Sequence, residues 1–165
     1  MYKDPNQMKT MTLGIIISFV AGIAITVLVL YLAAPSLMFR EDKSSMDFDS
    51  TVKKVEETAT AMGWKIPAIH DLQATMKKFE KDVRAVKVFE ICHPDHSYKI
   101  LNSSEERIVS NMMPCRIAVY EKEDGSIWIS RMNSGVVAKP LNKLVRETMT
   151  DAAADVELII AEVLE

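Results

Sequence analysis

The pattern of apolar and polar positions divides the chain into two unequal parts. Residues 11–34 form an uninterrupted apolar stretch of 24 residues without a charged side chain, whereas apolar and polar residues are mixed over the rest of the sequence. About 20 apolar residues in a helix cross the hydrocarbon core of a bilayer, where a helix satisfies its own backbone hydrogen bonds. We therefore predict a short N-terminal tail over residues 1–10 and a transmembrane helix over residues 11–34.

A cleaved secretory signal peptide is the alternative interpretation of this stretch. The apolar region of a signal peptide is usually about 7–15 residues long and is followed by small residues at the cleavage site. Here the apolar stretch is longer, and Ala33 and Ala34 are followed by Pro35, which is expected to hinder cleavage. We predict an uncleaved anchor whose helix ends at Pro35 and Ser36.

Small side chains recur at every fourth position of the predicted helix, at Gly14, Ser18, Gly22 and Thr26. Residues four apart lie on one face of a helix, and small side chains there let a second helix approach closely. This face is predicted to pack against a second copy of the chain or another membrane subunit. Alternatively it has no partner, since small residues are common in transmembrane helices.

The sequence after the apolar stretch has the length and pattern of one folded domain. Residues 35–46 are predicted as a short linker that contains the first strand, and residues 47–165 as the domain. Roughly 130 residues give room for one hydrophobic core. A second domain is not expected.

Helical and strand periodicity alternate along this domain. A helix with one apolar stripe follows Asp47, which can cap its first turn. Residues 84–92 form the strongest predicted strand, and residues 116–120 and 126–130 alternate around Gly125 as an antiparallel hairpin. The C-terminal segment is predicted as a long amphipathic helix. This order predicts an α+β fold with one twisted, mainly antiparallel sheet and helices packed on a face.

The charge balance and the cysteine count narrow the class of function. The chain has a net charge of −3, whereas nucleic-acid binding needs clustered lysine and arginine, so a nucleic-acid partner is not expected. Cys92 and Cys115 are too few for a disulfide framework and form no C-x-x-C pair. Two possibilities stay open for these cysteines: they form one disulfide if the domain lies outside the cytosol, or they are two free thiols if it lies inside.

The basic residues beside the apolar stretch predict the side of the membrane. Lys3 and Lys9 precede it, and Arg40 and Lys43 follow it, so the two flanks are nearly balanced. We place the short N-terminal tail in the cytoplasm and the domain on the extracytoplasmic side of the cytoplasmic membrane.

The best candidate for chemistry is the segment from Cys92 to His96, at a predicted strand-to-helix junction. The thiol of Cys92, the imidazoles of His93 and His96, and Cys115 across the sheet are possible ligands of zinc, copper or a haem iron. Alternatively, Cys92 is a reactive thiol at a helix N-terminus, with Cys115 as its resolving partner. In the structural interpretation the thiols are small buried apolar groups, and no cofactor is bound.

Motifs of common enzyme classes are absent from the sequence. None of the 5 glycines falls in the spacing of a phosphate-binding loop, and no serine lies in a glycine-flanked elbow. The sequence therefore assigns no catalytic residue.

Four segments, taken in order, resemble the domain of unknown function 302 family. These segments are Phe48–Val52, Gly63–Pro67 with His70–Leu72, Val88–Pro94, and Met113–Glu121 with Asp124–Gly125. The resemblance extends over residues 37–165 and implies a small α+β domain, often dimeric, found in bacteria and archaea. It implies no assigned enzymatic activity and supplies no catalytic residues. The N-terminal anchor departs from the stand-alone form of the family.

These features predict a membrane-anchored, non-enzymatic module. It would serve as an accessory or interaction subunit of a larger membrane complex, including a redox complex, or form a homo-oligomer. The alternative is a metal-, haem- or thiol-dependent redox protein that uses Cys92, His93, His96 and Cys115.

Overall fold

A computed structural model describes the backbone of residues 5–164 and the side chains of residues 11–164. The chain divides into two compact units, with the boundary after Leu37. Helix α1 (Pro5–Met38) makes up the described part of the first unit, and its last residue, Met38, belongs to the second. Its segment Met11–Met38 has a mean hydropathy of 2.8 and is long and apolar enough to cross a membrane. Residues 5–10 of the predicted tail are therefore helical, whereas residues 1–4 lie outside the described part.

Helix α1 does not end at Pro35, which corrects the sequence-based prediction. Pro35 lies inside the helix, which continues to Met38. A proline removes one backbone hydrogen bond, but neighbouring hydroxyl groups can satisfy carbonyls near such a position in a membrane helix. Here the hydroxyl of Ser36 donates to the carbonyl oxygen of Ala33 at 2.9 Å. This contact does not replace the hydrogen bond lost at Pro35, which would have gone to the carbonyl oxygen of Tyr31; the helix tolerates that single loss in its last turn.

The second unit is an α+β domain. Its elements are β1 (Phe39–Lys43), α2 (Phe48–Ala61), β2 (Lys65–Asp71), α3 (Leu72–Lys77), β3 (Val86–Cys92), α4 (Pro94–Leu101), a 3₁₀-helix (Glu106–Met112), β4 (Cys115–Glu121), β5 (Ile127–Met132), α5 (Ser134–Val137) and α6 (Lys143–Ala161). The strands form one sheet in the order β1-β5-β4-β3-β2, and every neighbouring pair is antiparallel. The predicted fold class is therefore confirmed.

One face of the sheet carries the main hydrophobic core. Alternate residues of the central strands, such as Phe89, Ile117 and Ile129, are fully buried against α2 and α6. A second buried cluster joins α4, the 3₁₀-helix and α6 through residues such as Ile100 and Val145. Residues of the opposite face are only partly buried, as antiparallel sheets allow.

Local sequence features explain where α2 begins and ends. The carboxylate of Asp47 accepts a hydrogen bond from the backbone N–H of Ser50 at 2.9 Å, the usual arrangement of a helix N-cap. The backbone and hydroxyl hydrogen bonds from Ser50 lower the pKa of Asp47. After α2, Gly63 adopts a φ of +86°, which is strained for other residues, and turns the chain into β2. Trp64 directly follows this turn.

Candidate functional site

The four candidate ligands predicted from the sequence, Cys92, His93, His96 and Cys115, line one small cavity of the domain. Its volume is about 40 Å³. The other lining residues are mostly apolar: Trp64, Ile91, Ser97, Ile100, Val109, Met112, Met113, Pro114, Ser134, Thr148, Met149 and Ala152. We call this space the Trp64 cavity.

The order of the elements explains how the four residues meet. Cys92 is the last residue of β3, and His93 is the cap of α4, so His96 lies in the first turn of that helix. Pro94 suits this first turn because its missing N–H is not needed there. Cys115 begins β4, where it lies opposite Ile91 in the β3–β4 register.

Three aromatic rings pack against one another at the Trp64 cavity. The ring centroids of Trp64 and His93 are 5.5 Å apart in an edge-on arrangement, and those of Trp64 and His96 are 6.0 Å apart. The two imidazole centroids are 4.9 Å apart. A Cβ atom at Gly63 would lie 3.4 Å from Nε2 of His93, so the glycine also provides room for this ring.

A carboxylate on α6 orients His96. Nε2 of His96 lies 2.9 Å from Oδ2 of Asp155. Because a carboxylate accepts hydrogen bonds, Nε2 is the donor in this pair, and Nδ1 is the ring nitrogen that remains for another contact. The same arrangement holds histidine ligands in many metal sites. The contact with Asp155 therefore occupies Nε2 and leaves Nδ1 of His96 without a partner among the described residues.

Three buried nitrogen atoms at this cavity lack a hydrogen-bond partner within the described part of the chain. They are Nε1 of Trp64, Nδ1 of His93 and Nδ1 of His96. Trp64 is only 2% exposed, so water has little access to its indole. An unsatisfied buried polar group costs about 1–3 kcal/mol, and three around one cavity are unusual in a native domain.

The two cysteines are free and differ in their surroundings. Sγ of Cys92 lies 2.9 Å from the hydroxyl oxygen of Ser97. Burial, with a smaller contribution from Cys92, raises the pKa of Cys115 to about 11. Since the thiolate is the nucleophile, Cys115 is a poor nucleophile at neutral pH. This disfavours the role of resolving thiol for Cys115.

The side chains as they stand do not form a complete metal site. Between residues 11 and 164, no group of three or more His, Cys, Asp or Glu residues is arranged to hold a metal ion. The cavity nevertheless offers imidazole nitrogen and sulfur, the donors that zinc and copper prefer.

Sequence reasoning did not find two residues of this site, Trp64 and Asp155. Asp155 is separated from His96 by 59 positions, and no spacing rule connects the two. The signal for Trp64 was weak: a large aromatic residue directly after a glycine that ends a helix. His70, the third histidine, lies elsewhere, with Nε2 3.2 Å from Glu90. That contact and Arg116 lower the pKa of Glu90.

The predicted packing face of α1 is open in the single chain. Gly14, Ser18, Gly22 and Thr26 lie four residues apart on one continuous helix, and a Cβ atom at either glycine would meet no atom within 4 Å. The hydroxyl of Thr26 donates to the carbonyl oxygen of Gly22 at 2.9 Å, so this hydroxyl needs no acceptor on a second helix.

Three of the segments that carry the family resemblance meet at the Trp64 cavity: Gly63–Pro67, Val88–Pro94 and Met113–Glu121. The fold and the cavity define a class: a small α+β domain with a single antiparallel sheet and a cavity lined by histidine, cysteine and tryptophan. The chain belongs to the family described as Domain of unknown function DUF302, whose profile matches residues 41–165. This confirms the resemblance seen in the sequence.

Two comparisons extend this assignment. A protein of Aquifex aeolicus (strain VF5), described as an uncharacterized protein, is 23% identical over 138 residues, which cover 81% of this chain and 89% of the relative. A crystal structure of an uncharacterized conserved DUF302 protein from Bacillus stearothermophilus superposes with a TM-score of 0.69 at 17% identity, covering 76% of this chain and 98% of that one. At this identity the structural likeness shows a shared fold.

Proposed function

We propose that this protein is a membrane-anchored, non-enzymatic module whose domain binds one small ligand in the Trp64 cavity. The proposal depends on one observation: Nε1 of Trp64 and Nδ1 of His93 and His96 are buried at one cavity without partners in the described residues. A ligand that binds the two imidazole nitrogens would offset the cost of their burial, whereas the indole N–H of Trp64 only donates and would need an acceptor atom.

The size and the donors of the cavity limit the ligand. A volume of about 40 Å³ suits an ion or a molecule of a few atoms. Pockets that hold cofactors are usually about 300–1,000 Å³, so a haem does not fit without a large rearrangement. Zn²⁺ and Cu⁺ fit by size and by donor type. Binding them requires small side-chain movements, because the described residues contain no complete ligand set.

The test uses the full chain purified from its native membrane in mild detergent. Native mass spectrometry and elemental analysis would report any retained ion or small molecule, and titration with Zn²⁺ and with Cu⁺ would follow. We expect one bound species per chain that is lost in His96→Ala and kept in His70→Ala. His70 is a matched control because it also contacts a carboxylate but lies outside the cavity. A chain that carries no added mass and binds neither ion would contradict the proposal.

The anchor is supported by the length and hydropathy of Met11–Met38. The intact mass of the mature protein distinguishes the anchor from a signal peptide. We expect a chain that retains this segment and resists extraction from membranes by alkaline carbonate. A mature chain that begins near Pro35 would contradict the anchor. The extracytoplasmic position of the domain stays a prediction.

A second candidate function is that of an accessory or interaction subunit, bound to a membrane complex or to a second copy. It is favoured by a groove of about 460 Å³ on the half-exposed face of the sheet, with Val88 and Ala118 in its floor. Three methionines, Met112, Met113 and Met132, also line it. Flexible, polarizable methionine side chains adapt well to a protein partner.

Photo-crosslinking in native membranes tests this candidate. A photoreactive residue at Ala118 should give a discrete adduct with a second copy or with one membrane subunit. The same residue at Lys53, which is exposed on α2, serves as the control and should give none. Equal labelling at both positions, or none at either, would argue against a partner on this face.

A further inference from the structure

A groove of about 430 Å³, much larger than the Trp64 cavity, lies beside that cavity, and Cys115 and Ser134 line both. Five basic residues line this groove: Arg40, Arg116, Arg131, Lys139 and Arg146. The acidic lining within the described residues is limited to Glu157. This local balance is opposite to that of the whole chain, which has a net charge of −3. We call it the basic groove.

The inner wall of the basic groove is neutral. Both guanidinium edges of Arg131, which is only 6% exposed, are bound by carboxylates, one by Glu157 and the other by Asp42. Glu157 also lies 3.1 Å from Nη1 of Arg40. The positive charges of these two arginines are therefore balanced by the two carboxylates, and the ion pairs hold this wall in place.

The outer wall has positive charge that is not matched. Lys139 and Arg146 are exposed, and neither has a carboxylate within 4.0 Å among the described side chains. Arg116 has Glu90 at 3.2 Å, but Glu90 also contacts His70. Hydroxyl and amide groups of the lining add further hydrogen-bonding atoms. The groove thus has an inner wall without net charge and, among the described residues, two unpaired cations at its rim, Lys139 and Arg146.

We propose that the basic groove binds a phosphate-type anion, with Lys139 and Arg146 as its charged contacts. Guanidinium and ammonium groups form charge-assisted hydrogen bonds with phosphate oxygens, and the planar guanidinium of Arg146 can bind two oxygens at once. The phosphate is either a free anion or the headgroup of an anionic phospholipid. The proposal is independent of the ligand in the Trp64 cavity.

The experiment uses the full chain in a non-ionic detergent at low ionic strength. One arm measures binding of inorganic phosphate by calorimetry. The other counts retained phosphatidylglycerol or phosphatidylcholine by native mass spectrometry. The variant Lys139→Gln/Arg146→Gln is compared with Lys53→Gln/Lys143→Gln, which removes the same charge from exposed residues outside the groove.

We expect the groove variant to weaken binding by about tenfold or more and the control variant to leave it nearly unchanged, as specific charge-assisted contacts require. Loss in the phosphate arm identifies a free anion. Loss in the phosphatidylglycerol arm alone identifies a lipid headgroup. No binding in either arm, or equal weakening by both variants, would overturn the proposal.

Discussion

The thiol of Cys115 provides a sharp test of the geometry of the Trp64 cavity. Burial and the neighbouring Cys92 raise its pKa from 9.0 to about 11. Each pH unit below the pKa lowers the thiolate fraction tenfold, so at pH 8 about one Cys115 in a thousand is ionised instead of about one in ten. From this difference in thiolate fraction alone, alkylation of Cys115 at pH 8 should be about a hundredfold slower than alkylation of an ordinary cysteine.

The assay follows iodoacetamide modification of Cys92→Ser by mass spectrometry from pH 7 to above pH 11. This substitution leaves one thiol and keeps a hydroxyl group next to Ser97. Removing Cys92 also removes the smaller of the two causes that raise the pKa of Cys115. The midpoint of the alkylation rate plotted against pH should therefore fall slightly but stay well above 9.0. Steric protection lowers the rate equally at every pH and cannot move the midpoint. A midpoint at or below 9.0 in a chain that circular dichroism shows to be folded would refute the buried position of Cys115.

Further predictions concern the free energy of unfolding, measured by urea titration of the full chain in detergent. Because the folded state keeps the Cys115 proton between pH 9.0 and about 11, stability should fall by about 3 kcal/mol as the pH rises through this window, and Cys115→Ser should abolish that loss. Ile159→Ala should cost about 3 kcal/mol, because this core side chain is fully buried; a cost below 1 kcal/mol would contradict its position. Arg131→Met should cost about 2 kcal/mol, because it removes the partner of Asp42 and leaves Glu157 with Arg40 alone; no change would show that the Arg131 ion pairs are not formed in solution. Asp47→Ala should destabilise the chain at pH 7, and the difference should shrink as the pH falls from 3.8 through the lowered pKa of the capping carboxyl; a pH-independent difference would contradict a charged cap.

Short-range patterns were enough to predict most of the domain. Gly125, with a φ of +78°, lies in the hairpin turn, and Pro94 lies in the first turn of α4, as the sequence indicates. Both predictions depend on the backbone of one or two residues. The predicted end of α1 was wrong, because whether a helix continues past a proline depends on where in the helix the proline lies: Pro35 removes one hydrogen bond in the last turn, and the helix continues to Met38. That information is not in the residue type.

The candidate site was predictable only where its residues are neighbours in the sequence. Cys92, His93 and His96 share one strand-to-helix junction, and their proximity follows from it. The position of Cys115 depends on the β3–β4 register, which the sequence does not state. Asp155 reaches His96 only because α4 packs on α6, a contact between elements that no local pattern encodes.

The two edges of the sheet have a consequence for how copies of this domain can associate. At one edge, four of the five residues of β1, Arg40 to Lys43, are charged. At the other, β2 contains Pro67, which has no N–H to donate, and its register with β3 is irregular between Lys65 and Ala68. Charges, prolines and bulges at sheet edges oppose the addition of another strand. Growth of the sheet from one molecule into the next is therefore disfavoured at both edges, which limits strand-to-strand aggregation of the domain.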